Sequence, residues 1–135
     1  MSVALLLITH QPIGAALVRV AAGILGGQPR GVEALEVVND MSCELVLADA
    51  ERRIARLDQG DGVLVLTDLY GSTPANVAVA LLAEHERVRV IAGVNLPMLL
   101  RALNYAALDL DVVTEKALHG GRDGVLLCAR RDELA

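Results

Sequence analysis

Apolar residues in this chain come in short unbroken runs, separated by stretches with a helical repeat. Val3 to His10 reads Val-Ala-Leu-Leu-Leu-Ile-Thr-His, and Val63 to Asp68 reads Val-Leu-Val-Leu-Thr-Asp. Runs of that length without polar alternation suit strands buried on both faces, as in a parallel sheet covered by helices. Val32–Val38 and Val88–Ala92 predict two more strands, and Val125–Ala129 a last short one. The stretches between them predict helices. One opens at Pro12, where a missing N–H costs nothing, and ends near Gly26-Gly27. A second is capped by Asn39 or Asp40 and runs to about Leu57. A third opens at Pro74 and runs to about Glu84, and a fourth starts near Leu96-Pro97. A fifth spans Asp109 to Leu118 and is closed by His119-Gly120-Gly121. The order predicts an α/β fold with a doubly wound, mostly parallel sheet, helices on both faces and a final edge strand that is antiparallel.

In sheets of this kind, ligands and chemistry collect at the carboxyl ends of the strands. The first strand ends on an imidazole, His10, and the third on a carboxylate, Asp68. A carboxylate that accepts from Nδ1–H fixes the tautomer and leaves Nε2 with a free lone pair. Beyond Asp68, the loop Gly71-Ser72-Thr73 offers backbone N–H groups and hydroxyls to anionic oxygens. The helices that begin after His10 and at Pro74 add positive dipole ends. The pattern points to an imidazole nucleophile aimed at a phosphoryl group, although a lone strand-end histidine is more often structural. His85 reads as a solvated helix end and His119 as a cation at a helix C-terminus.

Composition narrows the classes. The 135 residues fit a single domain, 1–135, with no room for a second. The chain is 54% hydrophobic, with a mean hydropathy of +0.49, but no apolar run approaches the ~18 residues of a membrane span. The hydrophobicity is that of a Val, Leu and Ala core, and no membrane insertion is expected. Net charge is -5 and aromatics make up 1%, which argues against a nucleic-acid surface. Cys43 and Cys128 lack metal spacing and sit in apolar patterns, so buried free thiols in a reducing cytoplasm are expected. No signal peptide is visible. The dinucleotide fingerprint, the phosphate loop and the serine elbow are all absent. Neither a cofactor nor a metal is expected.

Thr9-His10, the run from Asp68 through Leu69-Tyr70-Gly71-Ser72-Thr73-Pro74 to Asn76, and Gly93-Val94-Asn95-Leu96-Pro97-Met98 resemble segments of one family in the same order. So does Gly120-Gly121-Arg122-Asp123-Gly124-Val125. That family is the mannose-type enzyme IIA domain of the phosphoenolpyruvate-dependent sugar phosphotransferase system. The resemblance implies a flavodoxin-like fold and a phosphoryl group accepted on His10 from the phosphocarrier HPr. The group would pass to a separate IIB partner, or the protein would act as a phosphorylation-dependent regulator. Asp68 would orient the imidazole, and Thr9, Gly71, Ser72 and Thr73 would surround the phosphoryl group. The family also implies a cytoplasmic homodimer that exchanges the last strand.

Two departures stand out. Gln11-Pro12 replaces the glycine usual after the histidine, and Gly71-Ser72-Thr73-Pro74 replaces Gly-Gly-Ser-Pro, leaving Ser72 and Thr73 both open to the hydroxyl role. One alternative keeps the chemistry and makes the chain the phosphotransfer subunit of a dihydroxyacetone kinase. Another is a flavodoxin-like binding module, for which only Tyr70 is placed to stack on a flavin.

Overall fold

A computed structural model describes residues 2–130. It contains four strands, β1 (Ala4–His10), β2 (Val32–Val37), β3 (Val63–Thr67) and β4 (Val88–Ala92). Five helices accompany them: α1 (Ile13–Leu25), α2 (Cys43–Leu57), α3 (Thr73–Ala80), α4 (Leu96–Tyr105) and α5 (Leu110–Asp123). The strands form one all-parallel sheet in the order β2-β1-β3-β4.

Side-chain alternation along the strands divides the core in two. Leu5, Leu7, Leu64, Leu66 and Ile91 face α1, α4 and α5, whereas Leu6, Ile8, Leu35, Val63 and Val65 face α2 and α3. Every residue of β1 from Ala4 to Thr9 is buried, which is why the apolar run carries no polar alternation. The chain leaves β1 toward β2 on one side and returns to β3 on the other. That reversal puts the topological switch point between the carboxyl ends of β1 and β3.

Four expectations need correction. The closing strand is absent: Val125–Ala129 is unpaired, with Leu127 100% exposed. Its hydrophobicity suits a strand, but the described residues supply no partner, and the sheet has no antiparallel member. The charged tail expected after it lies, beyond Arg130, outside the described residues.

Helix α5 does not stop at Gly120-Gly121 but passes through both. A Cβ on Gly120 would lie 2.7 Å from Arg101 Cβ, and one on Gly121 2.6 Å from Met98 Cε. These glycines allow α5 to pack closely on α4; they do not end a helix. The cap of α2 is Ser42; Asp40, two residues earlier, adopts a left-handed conformation (φ 71°) instead. Finally, both cysteines are free and exposed rather than buried. Smaller differences are that α3 tightens into a 3₁₀ turn at Leu81–Ala83 and that His85 pairs with Glu51 of α2.

Candidate functional site

The parallel register pairs Ile8 with Thr67 and carries β1 two residues further, so His10 stands beside Asp68 at the switch point. Asp68 Oδ2 accepts from the backbone N–H of His10 at 2.9 Å and lies 2.8 Å from its Nδ1. An ionised carboxylate can only accept, so Nδ1 carries the proton and Nε2 holds the lone pair. The other carboxylate oxygen, Oδ1, accepts from Leu69 N–H at 2.9 Å. The Asp68 side chain is 11% exposed and that of His10 42%, so the carboxylate is sheltered while the ring reaches solvent. Partial burial alone would push the Asp68 pKa up. The hydrogen bonds from the His10 backbone, the His10 ring and Leu69 N–H, together with attraction to the imidazole, outweigh it and hold the pKa below the ordinary 3.8.

The backbone under Asp68 is fixed from β4. Gly93 N–H donates to the carbonyls of both Thr67 and Asp68, and Val94 N–H to that of Thr67. Gly93 makes this turn with φ 90°, a conformation that favours glycine. Nothing in the sequence reading singled it out as part of the site; its signal was a glycine directly after a predicted strand.

The remaining expected site residues divide. Thr9 cannot touch a phosphoryl group. Its side chain is fully buried, and its hydroxyl donates to His10 O and accepts from Gly14 N–H at 2.7 Å. It ties the end of β1 to the start of α1 and so positions His10. Ser72 turns its hydroxyl onto Leu69 O at 2.6 Å. Thr73 makes no such bond and lines a cavity with His10. Gly71 is exposed, with φ 86°. Pro12 precedes α1 as its cap residue rather than being its first residue.

Two cavities touch His10: an open bay on its β2 side, and an inner cleft between the segment after β2 and the start of α3. An inner cleft of about 110 Å³ runs from His10 past Asn39 and Asp40 to Thr73. An open bay of about 520 Å³ is lined by His10, Gln11, Val37, Val38 and Asn39. Ser72 and Gly71 line neither. With Nδ1 engaged by Asp68, Nε2 is the ring nitrogen left for a ligand in this space. Among the described residues no group of three or more His, Cys, Asp or Glu side chains is placed to hold a metal ion. The arrangement is that of a nucleophilic nitrogen in a defined tautomer at an open surface, with the Asp40 carboxylate bordering the inner cleft.

The distant motif serves the frame. Asn95 Oδ1 accepts from Met98 N–H at the start of α4, and Asn95 Nδ2 donates to Gly121 O in α5.

Comparison with known proteins follows the same lines. Residues 4–117 match the family model described as the PTS system fructose IIA component. Over 127 residues the chain is 33% identical to the PTS system mannose-specific EIIAB component of Escherichia coli K12, covering 93% of this chain and 39% of that protein. The chain therefore spans well under half of that relative's length. Among solved structures, phosphotransferase system component EIIA from Streptococcus agalactiae superposes with a TM-score of 0.82 at 26% identity, covering 93% of this chain and 96% of that one. The mannose/sorbose specific IIA subunit from Enterococcus faecalis gives 0.87 at 22% identity over 96% and 97%, a likeness of fold.

Proposed function

We propose that this chain, which belongs to the mannose/fructose IIA family of the phosphotransferase system, carries a phosphoryl group transiently on Nε2 of His10. The observation that supports this most directly is the 2.8 Å contact between Asp68 Oδ2 and His10 Nδ1, which leaves Nε2 as the only ring nitrogen able to attack.

The donor is a phosphohistidine of HPr. The Nε2 lone pair forms the new N–P bond as the donor's N–P bond breaks, and that electron pair stays on the donor's ring. The proton on Nδ1 remains in its bond to Asp68, which stabilises the imidazolium character that develops on the ring. Thr73 offers a hydroxyl to the phosphoryl oxygens. Catalysis is positioning and electrostatics. Passage to a IIB partner or a regulatory target reverses these steps. HPr as donor places the reaction in the cytoplasm, and no described helix is long and apolar enough to cross a membrane.

Incubation with phosphoenolpyruvate, enzyme I and HPr tests the reading by mass spectrometry. Wild type gains phosphoryl mass and His10→Ala gains none; an unlabelled wild type, or a labelled His10→Ala, removes the assignment. Offering a IIB protein and a dihydroxyacetone kinase subunit separately to the labelled protein separates the two recipients.

The protein also pairs with a second copy in this reading. Three successive apolar residues, Val125–Leu127, extend from α5 exposed among the described residues, and a dimer would bury them. Sedimentation equilibrium showing only monomer across the micromolar range would discard the pairing.

A further inference from the structure

The phosphoryl group brings nearly two negative charges into space that, among the described residues, no lysine or arginine lines. Neutral donors must meet it; the Thr73 hydroxyl in the inner cleft is one, and several backbone donors around the space are already engaged. The backbone N–H of His10 is held by Asp68, that of Gln11 by Val37 O, that of Val38 by Met41 Sδ and that of Met41 by Val38 O. Among the lining side chains, amide donors occur at two positions, Gln11 and Asn39. Both are exposed, both border His10 in the open bay, and among the described residues neither side chain has a hydrogen-bond partner. Each amide carries two N–H donors.

The geometry points to Gln11 and Asn39 as phosphoryl-binding residues: their amides donate to the phosphoryl oxygens on Nε2 from the β2 side, opposite Asp68. This rests on the proposed phosphohistidine and adds a pair of donors to it. Gln11 stands where the family resemblance leads one to expect glycine, so the feature belongs to this chain. Neutral donors also suit a carrier, since they hold the cargo without the strength of an ion pair.

The test uses two donors, phospho-HPr and phosphoramidate, the second a small molecule that makes no protein–protein contact. Labelling rate and phosphohistidine lifetime are measured for wild type, Gln11→Ala, Asn39→Ala and Gln11→Glu. A lost hydrogen bond to a charged group slows labelling about tenfold, so each alanine variant is expected to be about tenfold slower with both donors. Gln11→Glu, which keeps the shape and adds repulsion, is expected to be slower still. Unchanged melting shows that the fold is intact.

Wild-type rates in the variants with phosphoramidate overturn the proposal, even if phospho-HPr labelling slows, because that pattern means contact with the protein donor alone. Those results leave the phosphohistidine itself standing. A wild type that takes label from neither donor removes both.

Discussion

On its β3 flank His10 meets a carboxylate held at both oxygens, and on its β2 flank an exposed segment with few hydrogen bonds. Asp68 accepts three hydrogen bonds on its carboxylate, and its backbone is held by Gly93. The segment Val38–Ser42 is exposed. Among the described residues it is tied by the Met41 N–H to Val38 O and Val38 N–H to Met41 Sδ bonds and, at its end, by Ser42 O accepting from Val46 N–H. One flank sets which nitrogen is nucleophilic, a property that must not vary. The other meets a cargo that arrives and leaves, and a rigid fit there would hold it too well. The same ring thus needs order on one side and access on the other.

The largest effect expected from disturbing this contrast comes from Asp68→Asn. The amide keeps the size but loses the charge and one acceptor, and it no longer dictates the tautomer. Labelling of His10 by phospho-HPr should slow about 10²-fold or more, measured as initial rate at equal melting temperature. A variant that labels at the wild-type rate would show that the anchored flank is irrelevant to the chemistry.

The same carboxylate gives a smaller, pH-dependent effect. Its folded pKa lies below 3.8, so the unfolded chain takes up the proton first as the solution is acidified. Its stabilising contribution is therefore complete above the ordinary carboxylate value and is lost as pH falls through 3.8 toward the depressed folded value. Denaturant melts of wild type and Asp68→Asn should converge as pH falls through that window. A gap that widens in acid would reverse the sign.

The smallest effect is expected on the open flank. Asp40→Gly removes a left-handed aspartate (φ 71°) but loosens the unfolded chain, and the two terms nearly cancel, leaving stability within about 0.5 kcal/mol. Because Asp40 lines the inner cleft, losing its charge should leave labelling no slower. Destabilisation beyond about 2 kcal/mol would show that this loop is as fixed as its counterpart.

The buried strands were legible because a strand covered on both faces has a sequence with nothing else to say. His10 and Asp68 were legible as the residues that end those runs. What escaped depends on contacts distant in sequence. Gly120 and Gly121 look like a helix stop until Arg101 and Met98 are seen against them. Asn39, Asp40 and Ser42 are caps of equal quality by composition, and only the backbone shows that Ser42 takes that place. Val125–Ala129 has the composition of a strand, and composition cannot supply a neighbour. Gln11 was visible as a departure, but its closeness to Asn39 follows only from the alignment of β1 with β2.

Asn95 separates ancestry from activity. Its two bonds, to Met98 N–H and to Gly121 O, stitch one helix start to another helix's last turn, more than twenty residues along the chain. The most recognisable words of this sequence therefore describe a joint in the scaffold. A cousin that exchanged its imidazole for an inert side chain would keep that joint, fold alike and be sorted into the same kinship, while passing nothing on.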